Sequence, residues 1–217
     1  LDHDTWDRFV DGTDQYAMIA DFPLVNAPGE EFNYSNLSNY ILGIIVSKAC
    51  EVDLKEFAVA HLLDPIGSGH GEWYQDSLGY YYSLLSFTPR DLAMLGQLYL
   101  NDGLHNGERI LSQKWCRESH GMYSEDAWVL QRTKHNMGRY FYDLDYGYQW
   151  WSAKVAGKRI PFAWGHGGQM IFVLRDKNMV VTAVSDPQWM KHNPDAWRAE
   201  QSSFNLLAKF LTKLIRP

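Results

Sequence analysis

The sequence predicts an α+β fold, in which a helical region is followed by an antiparallel sheet that is backed by a C-terminal helix. In the first half of the chain, apolar residues recur every three or four positions, which is the period of an amphipathic helix. In the second half, short runs of β-branched and aromatic residues are separated by turn residues, as is typical of strands. A long amphipathic segment closes the chain. This order of elements indicates the α+β class.

Four helices are predicted before the strands begin, and the first 22 residues are predicted to be loop and irregular helix. Ser35 or Asn36 is placed to cap the first helix. The second is expected to be halted by Asp64-Pro65 and the glycine-rich stretch Gly67 to Gly71. Thr88-Pro89 gives the third a cap and a proline at its first position. The predicted helices cover residues 37–50, 54–63, 89–101 and 112–119.

Four strands and a final helix are predicted in the second half. Asp176-Lys177-Asn178 lies between the last two strands and is predicted to form a hairpin turn. The predicted strands cover residues 146–152, 162–165, 170–175 and 179–185, and the helix covers 196–215. We divide the chain into a mainly helical region, 1–125, and a region of sheet and C-terminal helix, 126–217. The two regions are expected to form one interlocked fold.

Composition excludes several classes of protein. The chain has 217 residues, of which 46 % are hydrophobic, so it can bury a substantial core. A net charge of −6 without a basic stripe argues against a nucleic-acid partner. No apolar run reaches about 18 residues, so no membrane span is expected. Cys50 and Cys116 lie far apart, which makes a disulfide framework improbable, and the cellular compartment stays open.

The segment Tyr34-Ser35-Asn36 precedes the first predicted helix and could carry chemistry. A tyrosine becomes a general base only if its pKa falls from about 10 toward neutrality, usually beside an ammonium group. An asparagine side chain can donate its amide to a substrate carbonyl or hold a lysine in place. The alternative is structural, with Tyr34 as a packing residue and Asn36 as a helix cap.

The segment His166-Gly167-Gly168-Gln169 falls between two predicted strands. Glycines there allow a ligand to approach the main chain closely. The Gln169 N–H is a candidate oxyanion donor, because acyl transfer needs donors about 3 Å from the developing negative charge. The alternative is a glycine bulge beside a polar histidine. The other histidines show no metal-ligand spacing, so neither a metal nor a cofactor is predicted.

Several segments in order resemble the β-lactamase-related serine hydrolases, which include class C β-lactamases and penicillin-binding proteins. Tyr34-Ser35-Asn36 is similar to the second catalytic motif of that family, and His166-Gly167-Gly168 is similar to the third. The similarity runs from about residue 23 to residue 187. The segments that carry it are 28–36, 42–45, 86–96, 106–112, 146–151 and 164–169.

The resemblance implies a serine acyl-enzyme mechanism and a role for each matching residue. Tyr34 would take part in proton transfer, Asn36 would position substrate or lysine, and the Gln169 N–H would serve the oxyanion. His166, Gly167 and Gly168 match the positions usually written Lys-Thr-Gly, with Gly167 beside the bound substrate. A histidine there is largely neutral at pH 7, which favours an uncharged ester, amide or peptide over a β-lactam carboxylate. The aromatic residues expected to line the acyl pocket, unless they are core, are Trp150, Trp151 and Trp164.

The first motif of the family, Ser-x-x-Lys, supplies the nucleophile and a proton shuttle. No serine in this sequence is followed three positions later by lysine. We therefore expect an upstream segment, as a separate chain or otherwise outside this sequence, to bring both residues. The chain alone is expected to be inactive and to leave a sheet edge unpaired. Two alternatives stay open, a catalytically silent binding or sensor protein and a penicillin-binding D-amino-acid peptidase.

Overall fold

A computed structural model of the chain describes residues 15–21, 23, 26–76, 78–81, 85–124, 140–165, 167–186 and 196–216. The chain divides into two compact units, Leu1–Thr88 and Pro89–Pro217. The first is helical in its described part, and the second combines helices with an antiparallel sheet. The α+β class predicted from the sequence is therefore confirmed. Whether the functional regions divide at residue 125 stays a prediction.

The first unit is organised around one long helix. Its helices are α1 (Gln15–Asp21), α2 (Asn36–Cys50), α3 (Leu54–Ala58) and α4 (Asp64–Ile66). Tyr40 and Ile44 on α2 are the buried centre, and Met18 and Ile19 of α1 pack against them. The Tyr40 hydroxyl donates to the Asp76 carboxylate over 2.5 Å, which satisfies the polar end of this buried ring.

The second predicted helix extends beyond Leu63, where it was predicted to end, and stops at Gly67, the first residue of the predicted glycine-rich stop. The chain does not stop at Asp64-Pro65 but continues from α3 through a π-helical turn (Val59–Leu63) into α4. Proline is tolerated at the start of a helical turn because its missing N–H would have no partner there. Pro65 lies at the start of α4, and the helix ends instead at Gly67, which adopts φ 70°.

The second unit contains a five-stranded antiparallel meander whose strands follow chain order. A small hairpin, β1 (Leu104–His105) and β2 (Glu108–Arg109), precedes it. Within the described ranges, no further strand pairs with the outer edge of the last strand, β7. The strands of the meander are β3 (Tyr142–Tyr146), β4 (Trp151–Val155), β5 (Lys158–Gly165), β6 (Gln169–Leu174) and β7 (Met179–Ala183).

Helices cover both faces of this sheet. Ile171 and Val173 of β6 share a core cluster with Tyr99 of α5 (Pro89–Leu100), so α5 lies on their face. Side chains alternate along a strand. Phe172 therefore points to the opposite face, where Phe141 packs against both it and Phe204 of α7 (Ala196–Ile215). A short helix, α6 (Gln113–Ser119), begins after its Ser112 cap.

The predicted strand 146–152 is wrong because it runs through a turn. Strand β3 ends at Tyr146, and the Gly147 N–H donates to the Trp150 carbonyl over 2.8 Å to close the turn before β4. A Cβ at Gly147 would lie 2.3 Å from the Ser119 carbonyl oxygen, so only glycine fits. The aromatic residues around this turn have high β-propensity and hide it in the sequence.

Close packing of α5 on the sheet leads to a stability prediction at Gly96. A Cβ there would lie 2.6 Å from Val180 Cγ1 and 2.7 Å from Ile171 Cγ2. Alanine improves helix propensity by about 1 kcal/mol, but overpacking costs about 1–3 kcal/mol. We expect Gly96→Ala to lower the free energy of unfolding in a urea titration. Gln97→Ala, at the next and exposed position, should change it by less than about 0.5 kcal/mol. Stabilisation by Gly96→Ala would contradict the packing described.

No helix in the described ranges is long and apolar enough to cross a membrane.

Candidate functional site

The first unit presents Tyr34-Ser35-Asn36 at the start of α2. Ser35 is extended, with φ −141° and ψ 127°, and its Oγ accepts a hydrogen bond from the Leu37 N–H over 3.2 Å. Ser35 is therefore the N-cap, and Asn36 is the first helical residue, with an exposed side chain. Of the two residues predicted as caps, Ser35 is the one that caps α2, and a functional role for Asn36 stays a prediction.

Tyr34 lies one residue before the cap, with 37 % of its surface exposed. Desolvation of the covered part raises the pKa of the phenol above its usual value of 10. The neutral phenol is a proton donor. To accept a proton at neutral pH, Tyr34 would need a neighbouring cation that lowers its pKa again. A role of Tyr34 in proton transfer stays a prediction.

The second unit presents the glycine motif as the turn between β5 and β6. Gly165 and Gln169 are paired across the two strands, and Gly167 and Gly168 adopt φ values of 93° and 89°. Residues other than glycine rarely adopt these angles. His166 lies outside the described residues. The sequence pattern located this turn correctly, between two strands and with two residues that only glycine suits.

Two side chains of neighbouring strand ends hold this turn. The Ser185 hydroxyl, just beyond β7, donates to the Gly167 carbonyl. The Gln169 side-chain amide donates to the Ser185 carbonyl over 3.2 Å. The Gln169 side chain thus has a structural role, in addition to the predicted role of its main-chain N–H as an oxyanion donor.

A buried carboxylate that the sequence interpretation missed also binds the turn. Glu200 of α7 is 2 % exposed, and its Oε1 accepts from the Trp164 indole N–H over 2.7 Å and from the Gly167 N–H over 3.0 Å. A signal was present in the sequence. Glu200 lies four residues before Phe204, so it falls on the apolar stripe of α7, where an acid is unexpected.

The three tryptophans predicted to line an acyl pocket lie in different surroundings. Trp164 adjoins the glycine turn through Glu200, and its ring lies 5.7 Å from that of Trp151. Trp151 is 4 % exposed and Trp150 is 5 % exposed, so both rings pack inside the second unit. The Trp150 ring lies 4.5 Å from that of Tyr99, in the cluster under α5. A substrate-binding role for these residues stays a prediction.

Other features of the described residues lie apart from the predicted site residues. No group of three or more metal-ligating side chains occurs among the described residues. The second unit has a groove of about 700 Å³ beside α7, and its lining, which includes Tyr142, Leu206 and Phe210, contains none of the predicted site residues. A groove of about 520 Å³ in the first unit runs between Ile19 and Ile45 and also contains none.

Comparisons with known proteins agree on a family and a fold. The model of the β-lactamase family matches residues 1–202. A candidate 6-aminohexanoate-dimer hydrolase from Bacillus anthracis is similar in structure, with a TM-score of 0.69 and 22 % identity over 93 % of this chain. A candidate β-lactamase from Bacteroides dorei DSM 17855 has a TM-score of 0.56 and 16 % identity over 81 %. No curated protein matches the sequence.

The chain spans about half the length of these solved structures, 50 % of the first and 57 % of the second. At these identities the structural likeness establishes the fold.

Proposed function

Because this chain belongs to the β-lactamase family of serine hydrolases, we propose that it forms part of a site that cleaves carboxylic esters or amides through an acyl-enzyme. The observation that carries the proposal is the turn at Gly167 and Gly168, where the side chains of Glu200 and Ser185 bind the main chain of Gly167 and both glycines have φ values that other residues rarely adopt. Fixed main-chain donors are what acyl transfer requires, because they stabilise the oxyanion without reorganising.

Each predicted residue has one part in this chemistry. Tyr34 takes part in moving the serine proton, and Asn36 positions the substrate or the lysine. The Gln169 N–H stabilises the oxyanion, while Gly167 and Gly168 let the substrate approach the main chain. His166 shapes the pocket, and Trp164, which adjoins the glycine turn, bounds it. Trp150 and Trp151, which were also predicted to line the pocket, pack inside the second unit. The Asn36 role is supported by its exposed side chain, which does not cap α2.

The nucleophilic serine and its lysine come from a segment outside these 217 residues. No serine here has a lysine three positions later, and the chain covers 50 % of the hydrolase-like relative. The serine Oγ forms a bond to the carbonyl carbon, and its proton passes to the leaving alcohol or amine. Water then adds to the acyl-enzyme, the bond between the serine Oγ and the carbonyl carbon breaks, and the acid leaves while a proton from the water passes to the serine Oγ. We refer below to the chain together with this segment as the complete protein.

The substrate is an uncharged ester or amide rather than a β-lactam. The position that is usually a lysine is His166, which is largely neutral at pH 7 and attracts a β-lactam carboxylate less strongly. The Bacillus anthracis relative is described as a hydrolase of the 6-aminohexanoate dimer, in which the bond between the two units is an amide, and this supports an amide as one of the bonds cleaved.

Turnover of three probes by the complete protein tests this proposal. We expect hydrolysis of a p-nitrophenyl ester to be faster than that of a chromogenic cephalosporin, with no stable adduct from a fluorescent penicillin. A faster cephalosporin reaction would identify a β-lactamase, and a stable penicillin adduct would identify a peptidase. Absence of turnover together with saturable binding of a peptide or cell-wall fragment would identify a binding protein. Each of these three outcomes would overturn the proposal.

Two glycine variants distinguish an effect on the proposed site from an effect of backbone strain alone. Gly168 and Gly157 have nearly equal φ values, 89° and 84°. A Cβ added at Gly168 would lie 3.3 Å from Ser185 Oγ, whereas a Cβ added at Gly157 would have no atom within 4 Å. Both alanine variants should lose about 1–3 kcal/mol of stability. We expect only Gly168→Ala to lower kcat for the p-nitrophenyl ester, by about 10-fold or more, because it displaces the neighbouring donor. Equal kcat values for the two variants would contradict a catalytic role for the turn.

A further inference from the structure

The carboxylate of Glu200 lies where the last helix meets the glycine turn. From the bonds that this group makes, we infer that Glu200 is a positioning residue of the hydrolase site, which fixes the main chain of Gly167 and the ring of Trp164 and thereby aims the donor at Gln169. The inference rests on the proposed function, and it adds a residue that the family motifs do not contain.

Burial of this side chain requires strong partners. Glu200 is 2 % exposed, and an acidic side chain is almost never buried to that degree unless it is paired. Its Oε1 accepts from two N–H groups, the Trp164 indole at 2.7 Å and the Gly167 amide at 3.0 Å. The geometry therefore points to a contact that holds both donors in one arrangement.

The same helix holds the Trp164 ring by a second contact. Phe204 lies one turn after Glu200 on α7, and its ring meets that of Trp164 edge to face at 5.2 Å. Glu200 thus fixes the polar edge of the indole while Phe204 fixes its orientation. Trp164 lies in β5 directly before Gly165 and the turn, so fixing its ring also fixes the end of that strand.

Both ends of Gly167 are held, which determines the direction of the next peptide group. Glu200 binds the Gly167 N–H, and Ser185 binds the Gly167 carbonyl. A trans peptide is planar, so fixing the Gly167 carbonyl also fixes the N–H of Gly168. Gln169 is itself held at the start of β6 by its pairing with Gly165, so the chain is fixed on both sides of Gly168 before substrate binds. Because its own N–H is already bonded to Glu200, Gly167 is unsuited to stabilise the oxyanion.

Kinetics of the complete protein with a p-nitrophenyl ester test the positioning role. Glu200→Gln keeps a carbonyl oxygen that can accept the same bonds, whereas Glu200→Leu removes the acceptor. We expect Glu200→Leu to lower kcat by about 10²-fold, comparable to losing one oxyanion donor. Glu200→Gln should lower kcat by only about 3–10-fold, and KM should change by less than about 3-fold in both. Ser202→Ala, an exposed position on the same helix, should leave kcat unchanged.

If Glu200 contributed only to stability, the kinetic results would differ from those expected above. If both Glu200 variants are folded and keep wild-type kcat, the inference is overturned. It is also overturned if kcat and the amount of folded protein fall in parallel, so that kcat per folded molecule is constant.

Hydrogen exchange of the wild-type protein provides a test that does not require the Glu200 variants to fold. We expect the Gly167 amide and the Trp164 indole N–H to exchange slowly and the indole proton to resonate downfield, with Trp164→Phe to assign it. Fast exchange at both groups would overturn the Glu200 contact. If the wild-type protein turns over no ester while exchange is slow, the proposed function fails and the contact stands.

Discussion

Replacing Tyr34 by phenylalanine in the complete protein is expected to lower kcat for ester hydrolysis by about 10²–10⁴-fold, the usual contribution of a positioned acid or base. The substitution removes only the hydroxyl, so the ring keeps its packing before α2. The exposed Tyr74, in the same unit, supplies the matched control, because Tyr74→Phe also removes one phenolic hydroxyl and should leave kcat unchanged. Steady-state kinetics with a p-nitrophenyl ester measure both variants.

The titration of Tyr34 provides an independent measure of the same role. Burial raises the pKa of this phenol in the described chain, and a neighbouring lysine would lower it. We expect a lower Tyr34 pKa in the complete protein than in the 217-residue chain, measured as the difference in ultraviolet absorbance between wild type and Tyr34→Phe. Wild-type kcat in Tyr34→Phe would show that this hydroxyl moves no proton.

His120 is expected to make the protein less stable in mild acid by about 3 kcal/mol. Both ring nitrogens are buried without a hydrogen-bond partner among the described residues, and the ring lies 5.1 Å from that of Tyr99 and 4.6 Å from that of Trp150. Burial lowers the pKa of His120 from 6.5 to about 4, and the positive charge of Arg175 adds to this effect. Folding therefore opposes protonation of this imidazole.

The sign of the pH dependence follows from this lowered pKa. The unfolded chain binds a proton at His120 below pH 6.5, whereas the folded chain binds it only near pH 4. The contribution of His120 to stability is complete above pH 6.5 and is lost as the pH falls from 6.5 to 4. His120→Phe should remove this loss, while the exposed His61 changed to glutamine should retain it. Urea titrations between pH 4 and 7 measure the slope, and identical slopes in wild type and His120→Phe would contradict this expectation.

The sequence predicted the fold correctly at positions where a single residue determines where a helix or strand begins or ends. Ser35 caps its helix at a predicted position, and Asn178 adopts φ 49° in the predicted hairpin turn. The prediction failed where a contact with a residue far away in the sequence determines the local structure. Gly147 turns the chain because the carbonyl of Ser119 leaves room for no side chain, and no local pattern records that contact.

The same distinction applies to the candidate site. The glycine turn was predictable because Gly167 and Gly168 are adjacent in sequence and suit its positive φ values. Its supports were not, because Glu200 and Ser185 lie 33 and 18 residues away and reach the turn only through the folded chain. Tyr34 was identified by its motif, but the burial that raises its pKa is a property of the folded unit.

Mapping of the serine that reacts with a fluorophosphonate tests the central claim most directly. The account predicts that the complete protein is labelled, that digestion and mass spectrometry place the adduct in a Ser-x-x-Lys peptide absent from these 217 residues, and that the 217-residue chain alone is not labelled. An adduct on any serine of this chain, or no adduct on the complete protein, would contradict the account.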